Sequence, residues 1–495
     1  MKFGISKTDY MVYRECHKDA WFKVHKPELY FSNEISEFAK ALIETGNEVE
    51  LEARKLFPDG VLLKDRGEAG LQETKDWLKE GDFTLFQAVF SKDGFFAAVD
   101  VLQKDSITGT YVISEIKATN ATKIKDHLPD LAFQVNLLQG YGLTVSRINV
   151  IHLNDKYIRA GELVLPQLFV IEDVTEQVLE ILPIVKLEME QALAYLSTEA
   201  EPYGTCDCVY KGRSNHCSMF RHINTQIPEY SVHDISRIGA SKKKLIELID
   251  SGVYTLTDIP VDFSLTDVQR NQVDVYNIGR PMINTSSIID ELSNLVYPIY
   301  FLDYETYPCA VPRFDGYSPY KQIPFQYSLH ILESPDSEPV HKDFLYEGIG
   351  DPSPKLFAAL RRDIGPKGSI LVWNKVFEQG INKQLAKRLP IASDFMADVN
   401  SRIYDLMDIF KAQLYVHPGF KGKTSIKNVL PTLVPELSYV ELDIKEGGTA
   451  SQRWNRIATN KADEEEKQKI VSDLKKYCSL DTYAMYAIWK HLRDL

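Results

Sequence analysis

The chain has 495 residues, 44% hydrophobic and 26% charged, with 54 aromatic rings on Phe, Tyr and Trp and 6 cysteines, which excludes extended disorder, a collagen-like chain and a disulfide-dense scaffold. Its net charge of −13 excludes a histone-like binder held by a global positive field, but not an acidic, metal-binding enzyme of nucleic acids that grips phosphate with a local basic strip. No apolar run approaches the roughly 18 residues a membrane span needs, and the start MKFGISKTDY lacks the blocks of a signal peptide. The expectation is therefore a soluble, cytoplasmic α/β protein of several domains, with no membrane partner.

In chain order, residues 1–225 open with helical periodicity in ISEFAKALIETGNEVELEARKLF. A strand pair follows, FTLFQAVFSKDGFFAAVDVLQ and then TYVISEIKAT, with SITG as the turn, then a helix DLAFQVNLLQGYG, a strand INVIHLN and a long helix near 174–196. Residues 226–290 read as a small helical connector: DISRIGASKKKLIELIDSGVYTLTDIP alternates helix and glycine turn, with Lys242, Lys243 and Lys244 close by, and it either resembles a phosphate-facing helix-hairpin-helix unit or is a plain helical spacer. Residues 291–495 carry the strands YPIYFLDYE and FQYSLHILE, helices near 353–362 and 376–388, and a strong closing helix IVSDLKKYCSLDTYAMYAIWKHL. The run KADEEEKQK reads as a solvated helix face or loop.

Three sets of residues carry chemistry. Asp100 lies on one strand, and Glu115 and Lys117, two apart, point to the same face of the next. An E-x-K on a strand is more often a polar edge, but both segments are otherwise apolar, so charges there need partners. Two carboxylates suit Mg²⁺ or Mn²⁺, and the lysine suits a water or developing negative charge. Cys16 pairs by pattern with Cys206, Cys208 and Cys217, the last three within twelve residues, which in a reducing compartment points to metal before disulfide. Zinc, with His17 or His216 as a substitute ligand, is open. Asp303 and Glu305 share a strand face, and Tyr477 and Asp481 share a helix face. Asn374 and Glu378 lie between them in VWNKVFEQG, and Asp405 is either a further acidic residue or a strand-end cap. Lys421, Lys423 and Lys427 form a basic loop that either grips phosphate or is merely solvated, and Ser425 suits a helix N-cap.

The first set, with Gln134 on the following helix, resembles the RecB branch of the PD-(D/E)XK nucleases. That resemblance implies catalytic roles for Asp100, Glu115, Lys117 and Gln134, with Asp100 and Glu115 on the metal. The family's tyrosine after the glutamine is missing at its usual spacing, Tyr141 lying seven residues on. Glu50 stands where that branch often has a histidine, as a ligand or as a surface residue. The cysteines resemble those of the iron–sulfur members of the group, which implies a [4Fe–4S] cluster. The third set resembles the DEDD exonucleases with Tyr-x₃-Asp, of RNase H-like fold. This implies metal ligation by Asp303, Glu305 and Asp481 and a water-orienting Tyr477, with Glu378 in place of the family's second-motif Asp. The whole chain resembles a bacterial family that fuses these parts, 1–225, 226–290 and 291–495. What this implies is a metal-dependent nuclease acting on DNA, single strands favoured, in repair, CRISPR-related processing or phage defence, with other proteins of those systems as partners. The rival reading is a nucleic-acid-binding or partner-docking protein with degenerate sites. Nucleotide-binding glycine loops of the G-x-G-x-x-G and G-x₄-G-K-[ST] types are absent.

Overall fold

The computed structural model describes residues 4–31 and 37–495; Met1–Phe3, Ile35 and Ser36, read above in the sequence, lie outside them. The chain is an α/β protein of two compact units. One comprises Met1–Val209, Asn215–Gln226 and Ala310–Lys321, and the other Tyr210–Ser214, Ile227–Cys309 and Gln322–Leu495. The connector segment thus folds within the second unit, and Ala310–Lys321, late in the chain, within the first. Among the described residues no helix is long and apolar enough to cross a membrane.

The first unit is built on a seven-stranded sheet. The stretch read as one strand before SITG is two, Phe83–Lys92 and Phe95–Asp105, paired antiparallel. The reason is a two-residue turn whose centre, Asp93 and Gly94, has φ of 52° and 83°, the left-handed pair that a tight hairpin requires. Thr110–Lys117 pairs antiparallel with Phe95–Asp105 and parallel with Val145–Leu153, so helix Leu128–Gly140 is a crossover between parallel strands. The hydrophobic faces of helix Thr175–Leu196 (Val178, Val185, Met189) and of the crossover helix (Phe133, Leu137) share one core with the sheet. Helix Lys7–Glu15 starts in a capping box between Ser6 and Asp9, and its Tyr10 stacks on Phe133 at 5.1 Å.

The second unit holds a five-stranded sheet in the order Val340–Leu345, Lys321–Leu332, Ile299–Cys309, Ile370–Val372, Ile403–Asp405. The first pair is antiparallel, and the last three strands are parallel. The two central parallel strands are apolar on both faces at Ile299–Leu302 and Ile370–Val372, which are buried throughout, as expected of parallel strands covered on two sides. Helix Glu464–Arg493, capped by Asp463, lays Phe301 against Tyr486 and Trp489 at 5.8 and 6.0 Å. This brings one turn of the closing helix over the carboxylate-bearing strand.

Candidate functional site

The cysteine set is assembled from two distant stretches of the first unit. Cys16 is an extended residue that ends helix Lys7–Glu15 and opens helix His17–His25. Cys206, Cys208 and Cys217 come from the irregular segment after residue 196, which Lys18 ties down by donating to the carbonyls of Tyr203 and Gly204 at 2.6 Å. The four sulfurs lie within 4.8 Å of one another, with Cys206 Sγ and Cys217 Sγ 3.9 Å apart. Asn224 donates to Cys206 Sγ at 3.4 Å, and Asp19 accepts the Met219 N–H at 2.8 Å. His17 stacks on Tyr13 and His216 on Phe220, at 4.1 and 3.5 Å, and neither joins the four thiols. Four converging thiols can hold a metal ion or a cluster. A single tetrahedral ion with bonds of about 2.3 Å sets its sulfurs about 3.8 Å apart. A cubane carries each cysteine on a different iron, so these sulfurs would have to spread to hold one.

Asp100, Glu115, Lys117 and Gln134 converge in the first unit. The ladder between their two strands stops at Val101 and Ser114, one residue short of Asp100 and Glu115. Beyond it the Asp100 carboxylate accepts the Ile116 N–H at 3.0 Å, in place of a backbone partner. Glu115 is buried and takes Lys117 Nζ at 2.8 Å and Lys7 Nζ at 2.7 Å on one oxygen, and Gln134 Nε2 at 2.8 Å on the other. Asp130, one turn before Gln134 on the crossover helix, receives Lys117 at 2.9 Å and Gln134 at 3.0 Å. Burial disfavours the charge on Glu115, but the Lys117 and Lys7 ammoniums outweigh it and hold the carboxyl well below its usual range. Asp100 goes the other way, pushed up to about 7 by burial and by the Glu115 charge. Glu50 is no isolated surface residue: Arg54 and Gln87 both donate to it, and Gln87 also reaches Asp100 Oδ1 at 3.0 Å. Tyr141 bonds the Ser91 backbone and is a packing residue rather than part of this site.

The second unit brings together Asp303, Glu305, Glu378 and Asp481. Asp303, Glu305 and Cys478 offer ligand atoms within 4.8 Å of one another, and Cys478 Sγ is 3.9 Å from Asp303 Oδ2. Burial and the neighbouring negative charges push Asp303, Glu305 and Glu378 well above the carboxylate range. Glu378 is 3% exposed, and its Oε2 has no hydrogen-bond partner. Asp481, pushed up to about 6 mainly by burial, accepts the Tyr439 hydroxyl at 2.5 Å. Burial and the Asp481 charge also keep the Tyr477 phenol protonated. Of the basic loop, Lys427 stands over the Tyr439 and Tyr477 rings at 5.8 and 5.7 Å, and its charge reaches Asp303, Glu305 and Asp481. Lys421 instead lies over Tyr230. Asp405 caps a strand end, accepting the N–H groups of Lys375 and Met407 at 3.1 Å. Asn374 and Ser425 occupy N-cap positions without capping: the Ser425 hydroxyl donates to the Asn428 side chain at 2.7 Å.

Five residues at these sites went unread in the sequence. Gln87 is signalled as a polar residue amid the apolar run LFQAVF, and Asp130 by its spacing of four from Gln134. Cys478 and Tyr439 had no more than their neighbours to mark them, and Lys7 had no local signal.

Residues 300–425 match the family described as Domain of unknown function (DUF2779). The chain is 26% identical to an uncharacterized protein of Ureaplasma parvum serovar 3, over 54% of this chain and 41% of that protein. It is 28% identical to an uncharacterized protein of Mycoplasma pneumoniae, over 40% of this chain and 32% of that one. It is 27% identical to the DNA mismatch repair protein MutS of Fusobacterium nucleatum subsp. nucleatum, over 37% of this chain and 21% of that protein. The chain thus spans between about a fifth and two fifths of the length of these curated relatives.

Proposed function

We propose that the protein is a metal-dependent nuclease that hydrolyses phosphodiester bonds of DNA, with a PD-(D/E)XK-type site in the first unit and a DEDD-type site in the second. The observation that carries this reading is the second carboxylate cluster. Four acids with raised pKa values, Asp303 half-buried and the other three buried, one of them with an orphaned oxygen, form a site whose charge calls for divalent cations. Such ions, when bound, supply a hydroxide at neutral pH and positive charge against the phosphorane.

The chain's own residues do the rest. Asp303 and Glu305 would hold the cations, with Asp481 fixed for the same task by Tyr439. The protonated Tyr477 can donate to the attacking water or to a phosphate oxygen, and Lys427 can meet the backbone phosphate of the strand. Glu378 is longer than the aspartate it replaces, yet it still faces the cluster. In the first site Asp100 and Glu115 would hold a cation, and Lys117 would face the developing negative charge. The mismatch-repair name of one relative supports DNA as the substrate, with single strands favoured and repair or defence proteins as partners. For the cysteines, four sulfurs within 4.8 Å of one another, with one pair at 3.9 Å, support a single tetrahedral ion of the zinc class over the [4Fe–4S] cluster. A second reading, a docking role for the first unit, is favoured by the two lysines that already neutralise Glu115.

The test is cleavage of 5′- and 3′-labelled single-stranded DNA in Mn²⁺ by wild type, Glu115→Ala and Asp303→Ala. Loss of cleavage in one variant assigns the site that cuts. Cleavage that persists unchanged in both overturns the proposal.

A further inference from the structure

The second carboxylate cluster contains one donor that an oxygen-only site does not need. Cys478 is fully buried and sits three residues before Asp481 on the closing helix, on the same face. Its sulfur faces Asp303 at 3.9 Å and lies within 4.8 Å of the Glu305 carboxylate. Glu378 Oε2 is buried without a partner, and the Glu378 charge acts on Cys478, Asp303 and Glu305. The thiol and the orphaned oxygen therefore belong to one anionic cluster.

We propose that Cys478 is a metal ligand there, a thiolate beside Asp303 and Glu305, and that it biases the site toward Mn²⁺, Co²⁺ or Zn²⁺ over Mg²⁺. The chemistry follows from ligand softness: carboxylates and water suit Mg²⁺, whereas a thiolate favours the later divalent ions. On binding, the S–H bond breaks, its proton goes to solvent, and a sulfur–metal bond replaces one metal–water bond. The ion stays divalent, and nothing is oxidised or reduced. The inference rests on the cluster being a cation site and needs no nuclease activity.

The probe is Co²⁺, titrated into full-length wild type, Cys478→Ser and Asp303→Asn. A thiolate bound to Co²⁺ gives a near-ultraviolet charge-transfer band. All three proteins keep the Cys16 centre, so its bands cancel in the wild type minus Cys478→Ser difference. A band in that difference, lost in Asp303→Asn, supports the proposal. Calorimetry should then show the Mn²⁺ over Mg²⁺ preference falling roughly tenfold in Cys478→Ser. A flat difference, with Co²⁺ binding that still depends on Asp303, overturns the thiolate and leaves the cation site standing. Co²⁺ binding indifferent to Asp303 overturns both. If Cys478→Ser does not fold, the ¹¹³Cd resonances of wild type decide. One lying between all-sulfur and all-oxygen positions supports the ligand, and only those two extremes overturn it.

Discussion

Removing one charge from the second cluster should stabilise the metal-free protein and abolish its response to metal. Asp303 and Glu305 offer oxygens within 4.8 Å of each other. At that separation, with an effective dielectric of about 20, two full charges repel by about 3.5 kcal/mol. Proton uptake by the raised carboxyls relieves part of this, leaving about 1–2 kcal/mol for Asp303→Asn to release. In a unit of this size 1 kcal/mol shifts the melting temperature by about 2–4 °C, so the metal-free variant should melt about 2–8 °C above wild type. Mn²⁺ at a hundredfold excess over its Kd adds about 2.7 kcal/mol to wild type, or about 5–10 °C, and nothing to the variant. The assay is scanning calorimetry of chelator-treated protein with and without Mn²⁺. A variant that melts below wild type without metal, yet shows the same Mn²⁺ shift, would refute the reasoning.

Two further outcomes follow from the other sites. Anaerobically purified protein should carry one zinc-class ion per cysteine centre without acid-labile sulfide, and Cys208→Ser should lose it and several kcal/mol of stability; iron with sulfide in the wild type counts against the single-ion reading. His330 is pushed down to about 4 by burial and by the stacked His341, from an unfolded value near 6.5. Its neutral form is the one the fold accepts. The stability it supports is complete above pH 6.5 and is lost as the pH falls toward 4, on the order of 3 kcal/mol. Denaturant titrations of His330→Gln should show a shallower acid slope there, and an unchanged slope would remove His330 as the cause.

Strands and long helices were legible because their burial demands wrote a period into the sequence: alternation in FFAAVDVLQ, continuous apolar runs in YPIYFLDYE, and helical spacing in the closing helix. The residues bearing chemistry were legible where they interrupt such a pattern, as Asp100, Glu115, Asp303 and Glu305 do. The turn at Asp93 and Gly94 was hidden inside a longer apolar stretch, although an Asp-Gly pair is the residue choice that a left-handed turn requires. Contacts between distant segments left no local mark. Lys7 reaches Glu115 across 108 positions, and Tyr439 reaches Asp481 across 42. A single lysine or tyrosine near a helix has no period to break, so its role appears only when the chain is folded.

The two carboxylate sites meet the same electrostatic demand from opposite directions, and this sets the order in which metal and substrate should arrive. In the first, Glu115 already carries two ammonium groups on one oxygen, and Asp130 shares them. A cation entering between Asp100 and Glu115 must displace Lys7 or Lys117 from that oxygen, and it gains little charge neutralisation in doing so. A phosphate changes the balance, because it offers either lysine a new anionic partner and frees Glu115 for metal. In the second, the Lys427 charge reaches Asp303, Glu305 and Asp481 but not Glu378, and the cation is itself the missing charge. The first site should therefore bind Mn²⁺ tightly only together with a nucleic-acid backbone, and the second should bind it alone. Calorimetric Mn²⁺ titration of Asp303→Asn, with and without a phosphorothioate oligonucleotide that resists cleavage, isolates the first site. Its affinity should rise at least tenfold with the oligonucleotide present, a gain of about 1.4 kcal/mol. Equal affinities in the two titrations would show that Lys7 and Lys117 do not guard Glu115 against metal.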